Sequence, residues 1–170
     1  GWAHSLLGET VAGIAELETA VAGNRAGRFV WGEHVAVILA EAHLRAGDPA
    51  KARDELERTC PYLEKAGMTI ALGIAERLTA EIGRATGWQD LSRQQATNHY
   101  ARSVELLAEA GARNELANTL VAMGHYYAEG GDGAEARAHF SRALDIYEAL
   151  GTMGSPQCVR DALASLPGSP

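Results

Sequence analysis

Apolar residues recur at three- and four-residue intervals along most of the chain, as in Leu56, Cys60 and Leu63, in Val104 and Leu107, and in Leu116, Leu120, Met123 and Tyr127. That spacing lines one face of an α-helix, and no stretch alternates polar and apolar residues over six positions as a half-buried strand would. Glycines divide the pattern at regular places. Gly47, Gly87 and Gly131 each follow a helical stretch at intervals of 40 and 44 residues, and Gly67, Gly111 and Gly151 do the same one helix later at 44 and 40. Each suits the left-handed residue that ends a helix. The pattern predicts helices over about 9–23, 28–46, 49–66, 68–86, 91–110, 113–130, 133–150 and 156–166, with ends placed to within roughly two to four residues. Pro49 is expected in a first helical turn, with Asp48 as the cap before it.

A longer period lies over the helical one. Leu120, Met123, Gly124 and Tyr127 are followed by Ala136, Phe140 and Ala143. Gly124 and Ala136 would sit where two antiparallel helices come closest, because only a residue with little side chain lets the backbones approach. Tyr127 and Phe140 would fill the gap on either side, and Ala143 would leave room for the next pair. The small–large–small triplet returns as Ala96, Tyr100 and Ser103 40 residues earlier, as Ala52, Leu56 and Thr59 another 44 earlier, and as Gly13, Leu17 and Ala20 another 39 earlier. This spacing resembles the tetratricopeptide helical hairpin, which cannot bury its apolar face alone and must stack on neighbours. The period is longer than the roughly 34 residues of that unit and overlaps the roughly 40–47 of HEAT and armadillo units. The triplet favours the tetratricopeptide reading, with longer helices and an inserted loop from Trp88 to Gln94 supplying the extra length.

The expected fold is therefore all-α, a right-handed α-α superhelix in which antiparallel helical hairpins form a tetratricopeptide-like solenoid. The 170 residues divide into a truncated repeat over 1–27, repeats over 28–67, 68–111 (carrying the inserted loop) and 112–151, and a capping helix and tail over 152–170. Residues 1–8 read as the stub of a first helix whose beginning is missing. Ser155 and Pro156 start a short helix suited to cover the last hairpin, which Pro167 and Pro170 cannot continue.

Composition narrows what such a solenoid could do. Hydrophobic content of 46% suffices for a continuous core, and with aromatics at 6% alanine and leucine must make most of the packing. A net charge of −7 with scattered arginines argues against binding nucleic acid, which calls for a basic stripe. No apolar run approaches the roughly 18–20 residues of a membrane helix and no basic-then-apolar leader opens the chain, so a cytoplasmic protein without membrane contact is expected. Cys60 and Cys158 are expected as buried small hydrophobes rather than a disulfide. His34 with Glu41, and His125 with His139, could share faces, but neither pair has the close spacing of a zinc helix, and no metal or cofactor is expected. Cys60 has no assignable base and the serines occur in no nucleophile elbow, so no catalytic residue is expected either.

The stretches Leu39 to Gly47 and His99 to Gly111, together with Gly13 to Leu17 and Ala143 to Gly151, resemble the C-terminal repeats of large bacterial signalling ATPases. In that group a class III adenylate or guanylate cyclase domain, or a DNA-binding domain of the LuxR and MalT type, is joined to a nucleotide-binding ATPase and then to tetratricopeptide-like repeats. The resemblance implies a regulatory docking or sensing module. A Gly-rich phosphate loop and a cyclase's metal-binding aspartates cannot be placed in this chain, so any catalytic part would lie upstream.

In stacked hairpins the first helices line the concave face. Residues expected to be exposed there are His34, Val37, Glu41 and Leu44, then Ile74, Arg77, Glu81 and Arg84, then Asn118, Val121, His125 and Ala128. Glu81 stands four residues from Arg77 and would neutralise it in part on a solvated helix face. Tetratricopeptide domains that clamp the C-terminal carboxylate of a chaperone peptide resemble one another in lysine and asparagine at these places, whereas this chain has Val37, Glu41, Glu81 and His125. The leading expectation is a protein or peptide partner seated in the groove as a helix or extended segment, the parent protein's own ATPase region being one candidate. The alternative is a small-molecule sensor in which Glu41, Arg77, Arg84 and His125 converge on a metabolite. A third reading is self-association through the truncated N-terminal edge, where Trp2, Leu6 and Leu7 would lose their cover. Of the adjacent tyrosines, Tyr127 is expected in the packing and Tyr126 to be more exposed.

Overall fold

A computed structural model of the chain describes residues 10–25, 27, 32–89, 91–153 and 155–167. Eight helices and no strands occur among them: α1 (Thr10–Arg25), α2 (Gly32–Arg45), α3 (Pro49–Ala66), α4 (Thr69–Ala85), α5 (Arg93–Glu109), α6 (Arg113–Glu129), α7 (Gly133–Leu150) and α8 (Ser155–Ser165). The ends fall within two residues of those the hydrophobic period predicts, except that the predicted start of the second helix lies on residues outside the described ones. Trp2, Leu6 and Leu7 are outside them as well.

Helix starts and stops follow local chemistry. Asp48 caps α3 by accepting the Lys51 backbone N–H at 3.0 Å, with Pro49 in the first turn, where its missing N–H costs nothing. Asp132 caps α7 in the same way through Glu135. Gly47, Gly67, Gly87, Gly111, Gly131 and Gly151 all adopt positive φ, between 64° and 83°. At each, the next residue's N–H reaches back five positions, as from Met68 to Leu63 and from Asp132 to Tyr127, both at 2.9 Å. This is the closing bond that satisfies a helix's last carbonyls.

Successive helices pack as hairpins, α2 on α3, α4 on α5 and α6 on α7, and the first helices α2, α4 and α6 also touch one another across the repeats. The triplets sit where the hairpins close. Ala52, Ala96, Tyr100, Ser103, Ala136 and Ala143 are wholly buried, and Leu17, Leu56, Thr59 and Phe140 nearly so. Gly124 supplies the closest approach: a Cβ built there would stand 2.5 Å from the Phe140 ring, well inside van der Waals contact. α8 and the residue that follows it cover the far end through Val159 and Leu166.

Two expectations are corrected. Tyr126, not Tyr127, is the buried member of the pair. The inserted loop accounts for this, because it carries Trp88 edge-on to the Tyr126 ring at 5.6 Å and places Arg93 over both rings. Tyr127 is left half-buried, stacked on His139. Second, Cys158 is exposed. It lies one position off the face that Val159 turns to the core, so it is no buried hydrophobe; Cys60 is half-buried, and both thiols are free. The start of α5 at Arg93, within two residues of the expected one, is set by the capping box of Ser92 and Gln95.

Candidate functional site

The inner face of the solenoid is built by one side of α2, α4 and α6, and charged side chains cross-link it. Arg77, in the middle of α4, has only 6% of its side chain exposed. Its guanidinium meets Glu41 of α2 at 3.3 Å, Glu81 of its own helix at 3.3 Å and Glu115 of α6 at 3.8 Å. The expected solvated pair of Arg77 and Glu81 is therefore a buried hub joining three helices. Burial disfavours the charged guanidinium, but the carboxylates of Glu81, Glu41 and Glu115 outweigh it and raise the Arg77 pKa. The Arg77 Nε is nevertheless buried without a hydrogen-bond partner among the described residues.

Around the hub the bridges are looser. Arg45 pairs with Glu41 at 3.0 Å and Arg84 with Glu129 at 2.7 Å, the latter spanning α4 and α6. Asn118 donates to Glu115 at 3.1 Å and accepts from the Tyr147 hydroxyl, carrying the network to α7. Burial, and after it the Glu115 carboxylate, pushes the Tyr147 phenol up to about 12, so it remains a donor. The Tyr100 hydroxyl is buried and unpartnered among the described residues. Its pKa is raised by burial first and then by Glu81, and Arg84, Arg77 and Glu129 act on it as well, which places it beneath the same charges.

Two adjoining recesses open on this face and share Glu41 and Arg45. The larger, about 520 Å³, is lined by Glu41, Leu44, Arg77, Glu81, Arg84 and Glu129 among others. The smaller, about 360 Å³, has Val37 and Ile74 at its floor and His34, Asn118 and Glu115 along its sides. Nine of the twelve residues expected to line the groove thus border one recess or the other. Val37 and Ile74 do so as nearly buried floor rather than as exposed positions. Val121 and Ala128 border neither and pack against the core. His125 is exposed and borders neither recess; it sits edge-on to Phe140 at 5.0 Å and is close enough to Arg84, Glu129 and Glu81 to feel their charges.

The sequence reading missed Arg45, Glu115 and Glu129. Each is one helical turn from a residue it named (Glu41, Asn118 and His125), so extending the helix-face argument by one turn would have found them.

Chemically, the face offers ion pairs and hydrogen bonds. Among the described residues no group of three or more His, Cys, Asp or Glu side chains could hold a metal, and no helix is long and apolar enough to cross a membrane. The Cys60 thiol is pushed up to about 11 by burial and then by Glu76 and Glu64, which keeps it protonated and a poor nucleophile at neutral pH.

These features define an all-α solenoid of stacked hairpins with a polar inner face. The family model described as tetratricopeptide repeat matches residues 34–58 and 117–142. Each match begins in a first helix, spans its turn glycine, Gly47 or Gly131, and ends in the partner helix. The chain therefore carries tetratricopeptide-like repeats in the register set by the small–large–small triplets. Comparison with curated proteins and with solved structures found no match.

Proposed function

We propose that this chain is a non-catalytic docking module whose inner face, formed by α2, α4 and α6, receives a peptide or helix of a protein partner. Tetratricopeptide-like repeats commonly serve protein–protein contact. The observation that carries the reading is that the two recesses adjoin at Glu41 and Arg45 and together draw their lining from the first helices of three repeats. Adjoining recesses of that form suit an elongated ligand with side chains set at intervals. The resemblance to signalling ATPases supports reading the module as the regulatory part of a larger bacterial signalling or transcriptional regulator acting in the cytoplasm, with the parent's own ATPase region as a candidate occupant.

One observation favours a second reading. The larger recess alone, at about 520 Å³, falls in the size range of small-molecule sites, and Glu41, Arg77 and Arg84 do converge there. A sensor would hold a metabolite at that point. A thermal-shift screen of the full chain against nucleotides, sugars and amino acids separates the two, since a ligand selective for the folded state raises its melting temperature with concentration. A flat response across the panel, together with binding by a tiled peptide array of the parent ATPase region, is the outcome expected for docking. A saturable shift by one metabolite, with a silent array, would replace docking with sensing.

A further inference from the structure

The inner face has a fixed part and a movable part, and the two differ in charge. Glu41, Glu81 and Glu115 expose 17%, 18% and 28% of their side chains and are held against the groove wall, where one buried cation, Arg77, faces all three. The other two arginines are looser: Arg45 exposes 46% of its side chain and Arg84 37%. Long side chains on such half-exposed bridges gain little from their partners and are readily displaced. Without them, the wall is a carboxylate-rich strip with an apolar floor at Val37 and Ile74.

We infer that the partner of this groove is a basic amphipathic segment, in which an aliphatic side chain seats on Val37 and Ile74 and neighbouring arginine or lysine side chains take the places that Arg45 and Arg84 hold against Glu41 and Glu129. The two arginines stand in for the ligand's cations. The wall also sets the sign of the partner: with Glu41, Glu81 and Glu115 gathered around the single buried cation of Arg77, an anionic side chain would be repelled and a cationic one attracted. The inference rests on the docking reading and assigns its ligand class.

The probe is a phage-displayed random dodecamer library panned against the full chain, followed by fluorescence anisotropy with one synthetic peptide from the enriched pool. Enrichment of Arg or Lys beside aliphatic residues is expected. Glu129→Gln should weaken that peptide about three- to tenfold, while Arg45→Ala and Arg84→Ala should tighten it about two- to fivefold by removing the resident competitors. Glu105→Gln, an exposed acid on α5 paired with Arg102, should leave affinity unchanged. Glu129 lies outside the ring around Arg77, so its variant tests binding without thinning the hub, and a melting curve of each variant confirms that it folds. Tightening on arginine removal is the decisive sign, because a purely structural role for these bridges predicts none. Enrichment of acidic or uncharged peptides that still respond to Glu129→Gln would overturn the charge assignment and leave docking intact. A pool with no groove-dependent binder would overturn both.

Discussion

Gly124 shows how one side chain's absence sets a helix separation. With 2.5 Å between its would-be Cβ and the Phe140 ring, any larger residue must drive α6 and α7 apart or push Phe140 from its place. Gly124→Leu should cost about 1–3 kcal/mol as an overpacked core position, lowering the melting temperature by roughly 2–12 °C for a domain of this size. An unchanged melting curve would refute the hairpin register. A different residue-scale effect follows from histidines that partial or full desolvation holds below their ordinary value. His43 is held below its ordinary value of 6.5 by burial and then by the Lys51 charge, with Glu18, Asp48 and Glu55 pulling the other way; burial also lowers His125 and His139. The folded chain then binds fewer protons than the unfolded one as these groups titrate. Their stabilising contribution is complete above 6.5 and is lost as the pH falls through the lowered folded values. The melting temperature should therefore drop as the pH falls below about 6.5, and His43→Gln should flatten that slope; a wild-type curve that rises on acidification would contradict the account.

Among the elements, the segment between α4 and α5 departs most from its neighbours. The other connections between α2 and α7 are two or three residues long, but here residues 86–92 intervene, Trp88 follows Gly87 into positive φ, and Leu91 folds back onto Gly83, where a Cβ would meet it at 2.8 Å. The Ser92 capping box then restarts the helix. Ser92→Ala should remove about 1 kcal/mol and lower the melting temperature by roughly 2–4 °C, readable by calorimetry; an unchanged curve would mean that packing of Trp88 and Leu91 alone fixes the start of α5. Helices and turns were legible in the sequence because a helical face and a left-handed glycine are properties of a few neighbouring residues. The burial of Tyr126 was not, since it depends on where the inserted loop folds. The same reason explains the inner face. Helix periodicity put Glu41, Arg77 and Arg84 on one side of their helices, but the burial of Arg77 needs Glu115 brought in from the next repeat, a contact 38 residues away in sequence.

At the scale of the molecule, each repeat meets only its neighbours, and the core reflects it. One continuous cluster runs from Val37 and Ala40 of α2 through to Val159 and Leu166 at the far end. α1 is tied on separately, through Leu17 and Val21 against Ala36, Leu39 and Ala42 of α2. A stack of this kind behaves as a sum of local units with nearest-neighbour coupling rather than as one cooperative block. Amide hydrogen exchange should show it: α1 and α8, each packed on a single neighbouring helix, exchange first, and α4 to α7 last. Gly124→Leu offers the sharper form of the experiment, since its clash lies between α6 and α7. Exchange should accelerate in α6, α7 and α8 while α1 keeps its wild-type rate, because the four helices α2 to α5, with their packing intact, separate the two regions. Acceleration spread evenly over all eight helices would mean that the chain unfolds as one unit, and that the inner face bends as a whole when a partner enters rather than repeat by repeat.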